Sequence, residues 1–323
     1  MVRKPNFKLI AKGNDITETI KANLIEIGFD DKEGSKSDEI SIKVNGIFAK
    51  PVFGDKLELY LGYGEDLYLC GSFSVQTASR DYKANTTEVR ATAVNFASPV
   101  KEKKRRTWEN TTVFEIARKI AGENSLSSKT TGQDQPIASK LQDNVSDLEF
   151  LYGLCFETGY KALVKNNTIV ITPMDAKGDE SQTSNTPRNE NLPKFNLNLN
   201  ELFSLEITEA NRNSYTAVIL EWQDVSEGKT KSIKVGAGEQ VYKMQIPQPK
   251  TDNEAFKQGE SKLNELQRGG INGRCSLPGA NIIAGGKLKF KGIAGLESNE
   301  FTIKSVEHRL TSQDYTCEVE FEG

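Results

Sequence analysis

Few residues in this sequence have the type and spacing that catalysis or metal binding requires. His308 is the only histidine, so a Ser-His-Asp or Cys-His arrangement would depend on it, and no GxSxG segment accompanies it. Zinc sites need clustered cysteines and histidines, whereas the four cysteines lie far apart without a CxxC pair: Cys70, Cys155, Cys275 and Cys317. We therefore expect His308 to be a structural residue and predict neither a catalytic site nor a metal site.

The glycine clusters and the acidic segments are equally uninformative about cofactors. Gly269–Gly270 and Gly285–Gly286 match neither a phosphate-binding loop nor a dinucleotide fingerprint, and no acidic segment follows the twelve-residue calcium pattern. No cofactor is predicted. Carboxylates are plentiful, so a glycosidase-like acid–base pair stays open as an alternative, although no segment singles one out.

The charge balance argues against a nucleic-acid-binding protein. The 323 residues include 42 Lys and Arg and 45 Asp and Glu, so the net charge is −3. The chain therefore has no overall positive charge to support sequence-specific or indiscriminate nucleic-acid binding. The basic run Lys101–Arg106 beside Trp108 could touch nucleic acid, but we interpret it as a solvated linker.

Neither membrane insertion nor secretion is expected from the apolar segments. The short apolar patch near the N-terminus is interrupted at Lys12, which disfavours a signal peptide. No run approaches 18 apolar residues, the length that predicts a membrane-spanning helix. We expect reduced thiols in a chain made in the cytosol.

The elements that would position any site are mostly strands in the first hundred residues. Apolar residues alternate at Ile40, Ile42 and Val44, the period of a half-buried strand. Two further runs, 57–61 and 67–75, flank a glycine-containing turn and predict a hairpin. The apolar parity switches at Leu24 and Ile25, as a β-bulge or a strand that changes faces would produce. Residues 1–99 are predicted to form a small antiparallel β-barrel-like domain.

Helical signals appear in residues 100–173, which we predict to be an inserted α+β domain. Thr112 with Glu115, and Ser146 with Glu149, fit the capping box that begins a helix, and an apolar helical stripe follows each. A hairpin is predicted over 160–172.

A second barrel-like domain is predicted after a polar linker. Residues 174–194 are polar and contain two prolines, which indicates an exposed connection. Strand-like runs return over 195–323, interrupted by a polar helix near 252–268 that begins at Thr251. The predicted fold class is mainly β: two small antiparallel β-barrel-like domains plus an inserted helix-containing domain.

Two segments carry a resemblance to a known family. Residues 142–173 resemble the Q-x-N-x-S-D-L-x-F-L…G-Y motif of the late control D proteins of contractile-tail phages, which also occurs in the hub part of type VI secretion spike proteins. The chain has Val145 where the family usually has glutamate. The closing strands, which contain His308, are similar to the family's C-terminal pattern. The matching motif residues are Ser146, Asp147, Leu148, Phe150, Leu151, Gly159 and Tyr160.

The resemblance implies a structural baseplate or tail hub and not an enzyme. Such a hub is a homotrimer with two barrel domains per chain, forming a pseudo-sixfold ring between a hexameric tail tube and a trimeric central spike. Further partners would be tape measure and baseplate wedge proteins. The location would be the virion tail, assembled in the host bacterial cytoplasm. A tail-associated cell-wall hydrolase and a carbohydrate-binding tail module are the alternatives.

Overall fold

A computed structural model gives the fold of most of the chain. It describes residues 4–34, 37–49, 51–93, 102–165, 168–173, 192–209, 215–249, 251–267, 271–297 and 299–323, apart from the side chains of 264, 265 and 267. The strands of the N-terminal half are β1 (Pro5–Ala11), β2 (Asn14–Asp15), β3 (Leu24–Lys32), β4 (Glu39–Asn45), β5 (Lys56–Tyr63), β6 (Asp66–Asp81), β7 (Thr86–Thr92), β8 (Lys103–Thr112), β9 (Ser127–Thr130), β10 (Pro136–Ser146), β11 (Tyr160–Lys165) and β12 (Thr168–Pro173).

The C-terminal half adds nine strands and one of the four helices. Its strands are β13 (Lys194–Asn198), β14 (Ser204–Glu209), β15 (Ala217–Asp224), β16 (Lys229–Gly236), β17 (Val241–Gln245), β18 (Ile271–Pro278), β19 (Lys287–Lys291), β20 (Phe301–Leu310) and β21 (Tyr315–Glu322). The helices are α1 (Thr17–Lys21), α2 (Val113–Glu123), α3 (Asp147–Glu157) and α4 (Asp252–Gln267), and a short 3-10 turn covers Leu199–Glu201.

One 13-stranded sheet, the central sheet, contains strands from both ends of the chain. Its order is β14-β18-β21-β20-β3-β4-β7-β6-β5-β1-β2, with β19 pairing with β20 and β13 pairing with β19. The junction is the antiparallel pair β20–β3, in which Ser305 to Leu310 face Lys32 to Ile27. Strands from the two predicted barrels therefore share one sheet, and the described residues contain no closed barrel.

A single apolar core lies against the central sheet. Buried side chains from β1 to β7 and from β18 to β21 belong to one continuous cluster, with Ile27, Leu59, Val306 and Val319 almost fully buried. The expected mainly-β class is confirmed. The finer prediction of two barrel-like domains is not confirmed, because the β20–β3 pair joins strands of both predicted domains into one sheet. The domain boundaries themselves stay a prediction.

Local patterns in the N-terminal half correspond to the observed strands. Ile40, Ile42 and Val44 all lie in β4 and are buried, and β5 and β6 form the expected hairpin. The pairing of β3 with β4 changes register between Leu24 and Glu26. The parity switch in the sequence thus marks a real irregularity, since an extra residue moves the following side chains to the other face.

The insertion has its own core. Helices α2 and α3 contribute apolar faces that pack with Trp108 of β8 and with Ile169 and Ile171 of β12. Strands β8 and β10 form a two-stranded ribbon, while β9, β12 and β11 form a second small sheet. Thr112 makes the predicted capping box with Glu115 at the start of α2.

The basic run before Trp108 is not a solvated linker, so that interpretation is wrong. From Lys103 onward it is the first half of β8, paired with β10. Lys101 lies outside the described residues, as do the domain boundary at 99/100 and the predicted linker up to residue 191.

A third small unit follows the linker. Strands β16, β15 and β17 form a separate sheet, and α4 packs against it over a core that includes Val218, Leu220 and Ala255. These strands were expected in a second barrel, but their apolar faces are covered by α4 instead. The side chain of Ser261 in α4 donates to the carbonyl of Phe156 at 3.1 Å, which places α4 against α3. No helix of the described chain is long and apolar enough to cross a membrane.

Candidate functional site

The motif shared with the late control D proteins surrounds a buried carboxylate. Asp147 is the first residue of α3 and its side chain is fully buried. Its oxygens accept hydrogen bonds from Lys104 Nζ at 2.6 Å and Arg106 Nη2 at 2.7 Å. Asn124 Nδ2 at 3.2 Å and Gln142 Nε2 at 3.0 Å complete a set of four side-chain donors.

Gln142 connects this carboxylate to the apolar core of the insertion. Its Oε1 accepts from Trp108 Nε1 at 3.2 Å and from Arg106 Nε at 3.0 Å, while its Nε2 also donates to the carbonyl of Val145 at 3.1 Å. The residue is completely buried. Its amide can satisfy both a donor and an acceptor side of the network at once, which neither a carboxylate nor an apolar residue could do.

Glu123 and the Trp108 ring make the remaining contacts of Arg106 in this network. Glu123, at the end of α2, accepts from Arg106 Nη1 at 2.9 and 2.7 Å and lies 3.5 Å from Lys104 Nζ. The Arg106 guanidinium lies 4.1 Å and Lys119 Nζ 5.4 Å from the centre of the Trp108 ring, and the Phe150 ring is stacked parallel to it with ring centres 6.0 Å apart. Apolar and ionic contacts thus hold β8, β10, α2 and α3 together.

Hydrogen bonding decides the protonation state of Asp147. Burial raises the pKa of this carboxyl, but the bonds from Lys104, Gln142 and Asn124 and the charge of Arg106 lower the pKa by more, so that it lies below its usual value. Asp147 is therefore a fixed anion beside the positive N-terminal end of α3, which also favours the charged form. The arrangement is suited to holding structure together.

The other motif residues have structural positions. Ser146 caps α3 by accepting from the Glu149 amide at 3.2 Å, and Gly159, with φ of +76°, ends that helix in a conformation that favours glycine. The Tyr160 hydroxyl donates to the carbonyl of Gln133. Leu148, Phe150 and Leu151 are buried in the core of the insertion.

His308 belongs to a second buried polar cluster at the β20–β3 junction, far from the motif in sequence. The Tyr315 hydroxyl and the Cys317 thiol each lie 3.0 Å from its Nδ1, and the Tyr68 hydroxyl lies 3.3 Å away. The imidazole ring stacks on Phe29 with ring centres 5.2 Å apart. The cluster therefore joins strands from both ends of the chain.

Burial makes these groups poor catalysts. His308 is fully buried, which lowers its pKa to about 3, so the imidazole is neutral at physiological pH. Burial also raises the pKa of the Cys317 thiol to about 12, far from the range in which a thiolate attacks a substrate. A neutral, enclosed imidazole can accept a hydrogen bond but has no path to a substrate. Within the described residues, no three His, Cys, Asp or Glu side chains are grouped as a metal site would require.

Sequence reasoning missed the cations of the Asp147 network. Lys104 and Arg106 belong to the run that was interpreted as a linker. The alternation Lys104, Arg106, Trp108 was the available signal, because in a strand these three side chains share one face. What the sequence could not supply was the partner, since Asp147 is brought to that face by α3.

Comparisons with known proteins agree with this description of the fold. The family model of the phage tail baseplate hub (GPD) matches residues 39–314. The probable baseplate hub protein of Escherichia phage P2 is 22% identical over 98% of this chain and 93% of its own length. The corresponding protein of Escherichia phage 186 is 25% identical over 72% of this chain, and the alignment spans 59% of the phage 186 protein.

Solved structures with the same fold come from bacterial genomes. A tail protein from Neisseria meningitidis MC58 superposes with a TM-score of 0.71 at 10% identity, covering 99% of this chain and 97% of that one. A 43 kDa tail protein of prophage MuSo2 from Shewanella oneidensis gives 0.69 at 13% identity, with 98% of both chains covered. An E. coli type VI secretion component, c3393, gives 0.57 at 13% identity over 93% of this chain and 73% of that one. With the family model spanning most of its length, the chain belongs to the phage tail baseplate hub (GPD) family.

Proposed function

We propose that this protein is the structural hub of a contractile phage tail or a related injection system. In this proposal three copies form a pseudo-sixfold ring that joins the hexameric tail tube to the trimeric central spike. The family match over residues 39–314 is the observation that carries the proposal. Its place would be the virion baseplate, assembled in the host cytoplasm.

The central sheet supports a ring of this kind. Its main path of strands ends at β14 on one side and at the β1–β2 hairpin on the other, and a branch from β20 through β19 ends at β13. Unpaired strand edges are sites at which another chain can add. A contact between two different edges is heterologous, and repeated contacts of this type close into a ring when the rotation allows it. In the proposal each chain contributes two similar wall segments, one built mainly from its N-terminal strands and one mainly from its C-terminal strands, so three chains supply six.

The insertion would supply a different contact. Its core is separate from that of the central sheet, so it can bind a partner without forming part of the ring wall. We assign to it the outer partners, the baseplate wedge proteins, and keep the tape measure protein as a further partner of the ring. Removing residues 100–173 should leave the ring intact and abolish wedge attachment; loss of the ring would contradict this assignment.

The alternative functions receive less support. A cell-wall hydrolase would need an accessible acid–base pair, yet the polar clusters described above are buried. When the protein is incubated with purified peptidoglycan, we expect it to release neither sugar nor peptide. A carbohydrate-binding module would be detected by binding to whole cells, which the hub proposal does not predict.

Co-purification tests the partner assignment. The full chain is co-expressed with the tail tube protein and the spike protein from the same genome, and each is tagged in turn. The proposal predicts one complex that contains all three proteins, with the hub required for tube and spike to be recovered together. Recovery of tube and spike together without the hub, or failure of the hub to bind either protein, would contradict it.

A further inference from the structure

The central sheet contains the same arrangement of four strands twice. In sheet order, the N-terminal strands run β3-β4-β7-β6 and the C-terminal strands run β14-β18-β21-β20, and every neighbouring pair is antiparallel. In each run the strand that comes third along the chain lies at one end, and the strand that comes fourth lies beside the second. The two runs therefore have the same topology, as two copies of one unit would.

A matching irregularity sets the residue correspondence between the two runs. The pairing of β6 with β7 shifts register at Gln76, and the pairing of β20 with β21 shifts at Lys304. When these two residues are matched, Ser74, the last residue of β6 that pairs with β5, corresponds to Thr302, the last residue of β20 that pairs with β19. Two separate features of the sheet thus give the same correspondence.

The correspondence extends across both runs to their far ends. The row of paired residues that begins at Ser74 crosses β7 and β4 and ends at Asp30 of β3. The row that begins at Thr302 crosses β21 and β18 and ends at Thr208 of β14. Asp30 therefore corresponds to Thr208, and β3 corresponds to β14.

The two runs differ in what lies beyond the shifted position. In β20 the residues after Lys304 pair with β3 of the same chain, with Glu307 opposite Asp30. Among the described residues, their equivalents in β6, Thr77–Asp81, pair only with β7, and β14 pairs only with β18. We refer to Thr77–Asp81 as the free half of β6. Each chain therefore has two open strand edges whose equivalents already pair with each other.

Apolar side chains at the two open edges are less covered than their equivalents at the β20–β3 junction. Ile27 and Leu310 lie opposite each other at that junction and are almost fully buried. Leu205 of β14, the equivalent of Ile27, is only partly buried. Tyr82, which follows β6 at the position of Leu310, is 74% exposed. Pairing of the two edges would place Leu205 opposite Tyr82 and remove both side chains from water, which is favourable.

We propose that β14 of one copy pairs with the free half of β6 of the next copy, antiparallel and with Thr208 opposite Ser79, the residue at the position of Glu307. This pairing rests on the proposed function, because it is the contact that would join three copies into a ring. It repeats between chains the pairing that β20 and β3 make within a chain. A contact between two different edges is heterologous and closes into a ring when its rotation allows it.

Cysteine cross-linking of the full chain, alone and with the spike protein from the same genome, tests this pairing. Ser79 and Thr208 are both exposed in the single chain. Residues directly opposite in antiparallel strands have Cα atoms about 4.5–5.5 Å apart, within the range of a disulfide. Oxidation of Ser79→Cys/Thr208→Cys with copper phenanthroline should therefore give a covalent trimer on a non-reducing gel. The wild-type chain, with its own four cysteines, should give none.

A second double variant checks the register. Thr77→Cys/Glu206→Cys also carries exposed positions on the same two strands and the same face, but the proposed pairing separates these residues by about 13 Å along the strands, so no covalent trimer should form. If particles of three chains form but Ser79→Cys/Thr208→Cys does not cross-link, or the second variant does, this pairing is overturned while the hub assignment stands. Failure of the wild-type chain to form such particles under either condition would contradict both.

Tyr82→Ser tests the pairing without a cross-link. A large side chain that becomes buried at an interface typically contributes enough that its loss should weaken association of the copies at least about tenfold, measured by dilution of the particles in native mass spectrometry. Val225→Ser is the matched control, because Val225 is 85% exposed in the turn between β15 and β16, strands of a separate small sheet. It should leave association unchanged. Equal association of the two variants would contradict the pairing.

Discussion

Two buried acidic clusters in this protein shift the pKa of a carboxyl group in opposite directions. Asp147 is a single carboxylate with four side-chain donors, two of them cationic, and its pKa is lowered. Asp38 and Asp31 are two carboxylates around one Lys165, and the pKa of Asp38 is raised to about 6. Burial raises the pKa of both acids, and the donors around each carboxylate decide whether that effect is outweighed, as at Asp147, or not, as at Asp38.

The difference matches what each cluster does in the fold. The Asp147 network lies inside the insertion and connects four of its elements: β8, β10, α2 and α3. The group of Asp31, Asp38 and Lys165 lies between the insertion and the central sheet, and its two carboxylates share the Lys165 ammonium group. Disrupting the Asp147 network should therefore have a different effect from disrupting the group of Asp31, Asp38 and Lys165.

The largest expected effect comes from removing Asp147. Asp147→Ala removes the buried acceptor that Lys104 and Arg106 share, and loss of one partner of a buried ion pair typically costs about 3 kcal/mol or more. Urea unfolding followed by Trp108 fluorescence, with Trp222 replaced by Phe in all proteins, measures this loss. Asp143→Ala is the matched control, because its pair with the exposed Arg105 should contribute under about 1 kcal/mol. Equal losses of unfolding free energy in the two variants would show that Asp147 contributes no more to stability than an exposed ion pair does.

A single substitution can make the first cluster resemble the second. Gln142→Glu places a second carboxylate beside Asp147 and removes the amide that donates to it. We expect a loss of about 1–3 kcal/mol at pH 7.5, since a buried polar contact is broken, and a smaller loss at pH 5, because one of the two acids then takes up a proton. Gln142→Met, which removes the amide without adding charge, should show no such recovery. Urea unfolding at both pH values distinguishes the two variants. If both variants regained stability at pH 5, the added carboxylate of Gln142→Glu would not be the cause.

His308 provides a pH effect of opposite sign to that of Asp38. Its folded pKa of about 3 lies below the ordinary value of 6.5, so the unfolded chain binds the proton more tightly and stability is lost as the pH falls below 6.5. The loss should reach about 2 kcal/mol at pH 5. Between pH 7.5 and pH 5, the free energy of global unfolding should therefore fall by about 2 kcal/mol more in the wild-type protein than in His308→Gln. Parallel pH profiles for the two proteins would contradict a buried, neutral His308.

The smallest effect is expected at the helix caps. Ser146→Ala removes the hydroxyl that accepts from the Glu149 amide and should cost about 1 kcal/mol. Thr251→Ala removes a cap with the same 3.2 Å geometry at α4, remote from the network, and should cost a similar amount. Urea unfolding of both variants is the measurement. A loss at Ser146 as large as that of Asp147→Ala would mean that the cap, and not the ion network, positions α3.

Local features of the fold were predictable because they depend on neighbouring residues. The capping box of Thr112 and Glu115, the β5–β6 hairpin and the bulge after Leu24 all follow from residue types a few positions apart. The motif from Ser146 to Tyr160 was likewise identified in the sequence, and the fold gives each residue a structural position.

Long-range pairings could not be read in the same way. The junction of β20 with β3 pairs residues more than 270 positions apart, from Ser305 with Lys32 to Leu310 with Ile27, so the sequence did not predict that strands of both segments share one sheet. The partner of Lys104 and Arg106 was invisible for the same reason. The separate core of β15–β17 was missed because an alternating strand looks the same whether a sheet or a helix such as α4 covers its apolar face.

Native mass spectrometry of the full chain, alone and with the spike protein, followed by imaging of the largest species, tests the hub assignment most directly. A hub of the proposed kind should form a particle of three chains, each of 35.8 kDa, with a central hole, either alone or once the spike is present. A chain that stays monomeric under both conditions would contradict a hub that closes into a ring.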